Sequence, residues 1–160
     1  MDKKKSDVIQ RVHEVFKKKG LTLSVAESCT GGLISHYITA FPGASNFFEA
    51  GVVSYSAKAK KKILDVSSGV ISKYGVVSEK TAREMAEKIR TLTRTDFSLS
   101  TTGNLGPDVL EGKEKGLIHI AVSRKGKTFS KELRLKGDRE ENKEKASIEA
   151  LRFLIETVEE

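Results

Sequence analysis

The chain has 160 residues, 29 Lys plus Arg against 22 Asp plus Glu, and one cysteine. That length suits one compact α/β domain with a substantial core. The composition excludes an intramolecular disulfide or a cysteine-based metal cluster. No run approaches the roughly 20 apolar residues of a membrane span, and the basic start Met1-Asp2-Lys3-Lys4-Lys5 lacks the apolar core of a signal peptide.

In chain order, Val8, Val12, Val15 and Phe16 fall on one helical face over residues 1–20, and Gly20 ends it. Leu21 to Val25 reads as a strand and Leu33 to Ile38 as a helix, with Ala26-Glu27-Ser28-Cys29-Thr30-Gly31-Gly32 between them. A strand running into hydroxyls, two glycines and a helix gathers N–H groups and side-chain oxygens at one point. Such a point suits an anion or a developing oxyanion; it also suits a plain capped turn. Gly51 to Tyr55 reads as a second strand. Ser78 caps a helix whose face is Ala82, Met85, Ala86 and Ile89. Asp96 to Thr102, Leu117 to Ser123 and Thr128 to Leu135 read as three more strands, with a turn at Gly126. Asp138 and Glu141 open a last helix that buries Leu151, Leu154, Ile155 and Val158.

Alternating helices and strands, with a hairpin near the C-terminus, predict a single layered α/β domain over residues 1–160. Its central mixed sheet is flanked by helices. Polar residues cluster at the strand ends: Ser28 and Thr30, then Ser45, then Tyr55 and Lys60, then Thr102 and Gly103, then Arg139. In an open α/β sheet such loops converge on one crevice, and this set suits a polar, phosphorylated small molecule. The lysine runs at 3–5, 17–19 and 58–62 come without aromatic interleaving or a nucleic-acid motif, so solvated helix faces are the expectation. His13, His36 and His119 sit in periodic segments and are given packing or surface roles. No set of side chains has the spacing of zinc ligands.

Five blocks, AESCTGG, PGASNFFEAGVVSYSAKAK, YGVVSEKTAREMA, TTGNLGP and GDREENKEKA, resemble the CinA C-terminal domain family in order and spacing from about Leu21 onward. The resemblance implies a cytoplasmic nicotinamide-nucleotide amidohydrolase. Such an enzyme converts nicotinamide mononucleotide to nicotinate mononucleotide and ammonia, in pyridine nucleotide salvage, without cofactor or metal. It implies a Ser-Lys mechanism: Ser45 as favoured nucleophile, Lys60 as base, Tyr55 steadying the proton and Ser28 as a second serine or the nucleophile itself. Thr30, Gly31, Gly32, Thr102 and Gly103 would line the substrate site, and Arg139 would hold the phosphate. A homo-oligomer, with a dimer favoured, is the expected assembly, and neither a membrane nor a nucleic-acid partner is expected. The alternatives are a non-catalytic nucleotide-binding module of the same fold and a competence- or DNA-damage-associated protein. One departure stands out. The family's glycine-rich loop after the third strand is replaced here by the bulkier, charged stretch Asn104 to Gly116, and this bears on the substrate's identity.

Overall fold

The computed structural model describes residues 1–160. Helix α1 (Lys3–Lys19) is followed by β1 (Leu23–Glu27), α2 (Leu33–Thr39) and a 3-10 turn (Ala44–Asn46). Next come β2 (Phe48–Val53), α3 (Ala57–Leu64), α4 (Ser68–Tyr74) and α5 (Glu79–Thr93). The chain ends with β3 (Phe97–Gly103), β4 (Leu117–Arg124), β5 (Lys127–Arg134) and α6 (Arg139–Glu159). The strand order is β2-β1-β3-β4-β5. β1 runs parallel to β2 and β3, and β4 and β5 add antiparallel, so the sheet is mixed as its hairpin implied.

Local chemistry sets the helix ends. Asp2, Ser56, Ser67, Ser78 and Asp138 each accept from a backbone N–H in the first turn of the helix that follows. Gly20 closes α1 in the left-handed conformation, where a Cβ would be strained.

The two faces of the sheet are packed differently. One carries α1, α2 and α6 over a large apolar core that includes Phe16, Leu23, Val25, Leu99, Ile118, Ile120, Leu151 and Leu154. The other carries α5 at close range. Ala82 and Ala86 meet Ala121, and the Ser98 and Ser100 hydroxyls donate to the carbonyls of Ala86 and Ala82. Small side chains let the helix approach, and their hydroxyls reach carbonyls without leaving a buried donor unpaired.

α3 and α4 carry no periodicity that the sequence reading detects. α3 buries only Lys60 and Leu64, and α4 has no buried residue. An apolar stripe is what makes a helix legible, and here the first position of the buried pair is a lysine.

The topology fixes where a ligand can sit. From β1 the chain passes through α2 to β2 on one side, then crosses by way of α5 to β3 on the other. The carboxyl end of β1 is therefore the switch point of the sheet, where open α/β folds form their crevice. Glu27, the last residue of β1, lies in register with Val53 of β2 and Thr101 of β3. Ser28 is the next residue out.

Candidate functional site

Ser28 leaves β1 in a tight turn: its N–H donates to Thr101 O, and its carbonyl accepts from Gly31 N–H. Gly31 has φ +59° and Gly32 φ +102°, the left-handed region that glycine enters freely. The turn thereby swings back into α2 with Ser28 held over the strand end.

Lys60 reaches the same point from α3. Its Nζ lies 2.8 Å from Ser28 Oγ, 3.0 Å from Ser54 O and 3.1 Å from Tyr55 O. The side chain is 1% exposed, whereas Lys58, Lys61 and Lys62 of the same run are exposed. Burial lowers the Lys60 pKa to about 8, against weaker upward pulls from Cys29 and Glu111. Ser28 Oγ also lies 3.3 Å from Tyr55 O. The geometry therefore accommodates both protonation states. A charged ammonium donates to all three oxygens while Ser28 turns its proton to Tyr55 O; a neutral amine donates to the two carbonyls and accepts from Ser28.

Ser45 is elsewhere. It is exposed in the 3-10 turn that precedes β2. Because β2 is parallel to β1 and Phe48 pairs with Leu23, Ser45 stands at the opposite end of the strands from Ser28. The separation along the sheet is on the order of 16 Å. Within one chain the expected Ser45–Lys60 pair is therefore not formed, and Ser28 takes that position.

Tyr55 is used differently from the expectation. Its main-chain oxygen, not its phenol, faces the lysine and the serine. The ring is 60% exposed, and its hydroxyl accepts from Arg139 Nη2 at 3.1 Å. Arg139 Nη1 donates to Gly106 O at 2.7 Å, and no carboxylate pairs with the guanidinium. The arginine is thus aimed by neutral acceptors and keeps its charge uncompensated.

The α2 N-terminus is not free to receive an anion. The fully buried carboxylate of Glu27 accepts from the N–H groups of Ile34 and Ser35 and from the hydroxyls of Ser35 and Thr30. Thr30, whose Oγ1 also meets Thr101 Oγ1, is a brace for this arrangement rather than a wall of the site. The N–H groups of Cys29 and Thr30, next to Ser28, have no acceptor in the protein. Cys29 is buried, and burial pushes its thiol up to about 12, so it stays protonated and apolar in character.

Thr102 turns its hydroxyl to Val76 O and does not line the crevice. Gly103 does line it, but a Cβ there would lie 2.5 Å from Leu117 O, so the absence of a side chain serves strand approach. The cleft beside Cys29 has a volume of about 220 Å³ and runs past Tyr55, Gly103 and Leu105 to Asp108, Leu110 and Arg139. Its outer wall is the charged loop. Asn104 clamps that loop by bonding Leu110 and Lys113, Glu111 accepts from the N–H groups of Val76 and Val77, and Lys113 Nζ donates to Tyr74 O and Val77 O. The stretch that departs from the family pattern is a latched wall.

Two contributors went unread in the sequence. The Ser54 and Tyr55 carbonyls are backbone groups without a side-chain signature. Lys143 of α6 places its Nζ over the Ser28–Gly32 turn, 3.2 Å from where a Gly31 Cβ would stand; its spacing of four from Arg139 was the signal available. No helix is long and apolar enough to cross a membrane.

The model of the CinA C-terminal domain matches residues 5–158. Among curated relatives, the chain is 43% identical over 140 residues to a competence-damage inducible protein of Caldanaerobacter subterraneus, covering 87% of this chain and 34% of that one. It is 43% identical over 144 residues to a CinA-like protein of Dictyoglomus thermophilum, covering 89% and 35%. The chain thus spans about a third of the length of these relatives. Among solved structures, the competence/damage inducible protein CihA from Agrobacterium tumefaciens superposes with a TM-score of 0.94 at 31% identity. That match covers 100% of this chain and 98% of the other. A CinA-superfamily protein from Klebsiella pneumoniae gives a TM-score of 0.93 at 30% identity over 96% and 97%. The chain belongs to the CinA C-terminal domain family.

Proposed function

We propose that this member of the CinA C-terminal domain family is a serine amidohydrolase that deamidates nicotinamide mononucleotide, with Ser28 as nucleophile and Lys60 as general base. The observation that carries the reading is the 2.8 Å approach of a buried lysine to a serine hydroxyl at the switch point of the sheet. A structural role alone gives a lysine little reason to be buried without a carboxylate, since its desolvation is costly. A base that must be neutral near physiological pH gains from that same desolvation.

The neutral Lys60 amine accepts the Ser28 proton as Oγ attacks the carboxamide carbon. The negative charge that develops on the carboxamide oxygen is taken by the N–H of Cys29, the residue after the nucleophile, which borders the cleft and is fixed by the turn before the reaction begins. The Lys60 ammonium then returns its proton to the departing nitrogen, ammonia leaves, and a nicotinoyl ester remains on Ser28. Water attacks that ester with Lys60 again as base, freeing the carboxylate and restoring the serine. No metal or organic cofactor enters any step.

Arg139 supports the nucleotide as substrate because its charge is uncompensated and its position at the cleft mouth suits a phosphate. The exposed Tyr55 side chain, which lines the cleft next to Arg139, offers an aromatic face to the cationic pyridinium ring. The test is ammonia release from nicotinamide mononucleotide by the purified protein. Release that Ser28→Ala abolishes supports the reading; absence of release from the folded protein overturns it.

A further inference from the structure

We propose that Lys143 is the second cation of a phosphate-monoester site, working with Arg139 across the Ser28–Gly32 turn; the identity of the ester as substrate rests on the amidohydrolase reading. Lys143 is half-buried and forms no ion pair, although α6 offers partners nearby. Glu140 precedes it by three residues and is not engaged, and Glu144 bonds Lys5 instead. The ammonium turns inward over Gly31, whose φ of +59° and missing Cβ leave the space it occupies.

Arg139 and Lys143 stand four apart at the start of α6, which puts them on one face of the helix. Like charges at that spacing repel, and Arg139, a cation in the first turn, opposes the helix dipole. The fold sets two cations without ion-pair partners here, Arg139 lining the cleft beside Cys29 and Lys143 over the turn that carries Ser28. A dianion seated between them relieves the repulsion and the dipole conflict together.

The placement also sets the ammonium against the turn that carries the nucleophile. Ser28 and Gly31 are the ends of a hydrogen-bonded four-residue turn, so their Cα atoms are under about 7 Å apart. Lys143 Nζ stands over Gly31, at the far end of that turn from Ser28. A side chain on Gly31 would displace the ammonium. The glycine, expected to present its N–H to an anion, gives that N–H to Ser28 O and makes room for a cation instead.

Ribose 5-phosphate carries the phosphate ester and sugar without an amide, so it tests the clamp independently of turnover. Titration calorimetry at fixed ionic strength compares the wild type with Lys143→Ala and Lys143→Arg. We expect the alanine variant to weaken Kd at least about tenfold and the arginine variant to restore it to within about threefold. An unchanged Kd in Lys143→Ala, or no binding by the wild type, overturns the proposal. Binding that follows this pattern in a protein that releases no ammonia from nicotinamide mononucleotide supports the clamp and removes the amidohydrolase reading alone.

Discussion

Lys60 Nζ and Ser28 Oγ meet at 2.8 Å although 32 positions separate them in the chain. The contact is made between the end of β1 and α3, a helix that follows its neighbour strand β2. β1 delivers the serine, and the short helix after β2 folds its lysine back across the strand ends.

That contact separates the two candidate serines. Ser28→Ala removes the hydroxyl that faces the lysine and should lower kcat for ammonia release by about 10²-fold or more. Ser45→Ala, at the other end of the sheet, should leave kcat within about twofold. Steady-state assays of both variants decide the matter; a large loss in Ser45→Ala with an active Ser28→Ala would reverse the assignment.

The lowered pKa of Lys60 gives a pH signature. The base must be neutral, so kcat/KM should rise about tenfold per pH unit below about 8 and level off above it. Lys60→Arg should not rescue the reaction, because a guanidinium stays protonated. A flat profile between pH 6 and 9 would remove the lysine from the role of base.

The same shift predicts a stability trend. The folded-state pKa of about 8 lies below the ordinary 10.5, so between these values the unfolded chain holds the extra proton. Stability therefore rises with pH across that window, by roughly 3 kcal/mol in all. Below pH 8 both states are charged and the burial penalty stands in full. Urea midpoints measured from pH 7.5 to 10.5, as wild type minus Lys60→Met, should show this rise; parallel curves would contradict it.

Glu27 is a buried brace, and its removal should cost stability before chemistry. Its carboxylate accepts four hydrogen bonds that join the end of β1 to the first turn of α2. Glu27→Gln sets an amide donor against at least one of these donors and should destabilise the fold by about 2–3 kcal/mol. Denaturant unfolding that matches the wild type would refute this.

Cys29 should be inert while the protein is folded. Its thiol is pushed up to about 12, so thiolate is scarce at pH 8. Mass spectrometry after iodoacetamide treatment should find the native chain largely unmodified and the guanidinium-unfolded chain alkylated. Equal labelling rates would contradict the buried, neutral thiol.

Much of the architecture was legible because it rests on local rules. The stripe of α1, the Ser78 and Asp138 caps and the β4–β5 hairpin with its glycine turn are each encoded within a few residues. The motif residues of the site were also visible: Ser28, Lys60, Tyr55 and Arg139 all gather at the crevice. Their division of labour was not. Glycines and hydroxyls after β1 read as an open helix N-terminus, yet Glu27, fixed by the end of β1, already fills it.

The sequence by itself determined helices α1, α2, α5 and α6, the strands, the mixed sheet and the family, since caps, periodicity and motif order act over short separations. Only the tertiary structure decided which serine meets the lysine. Parallel pairing of β1 and β2 places Ser28 and Ser45 at opposite ends of the same sheet, and strand direction is a property of the assembled sheet. The same assembly buries Lys60 while leaving Lys58, Lys61 and Lys62 in water. One lysine of an otherwise solvated run thereby acquires a lowered pKa, because desolvation depends on what packs around a group and not on its neighbours in the chain.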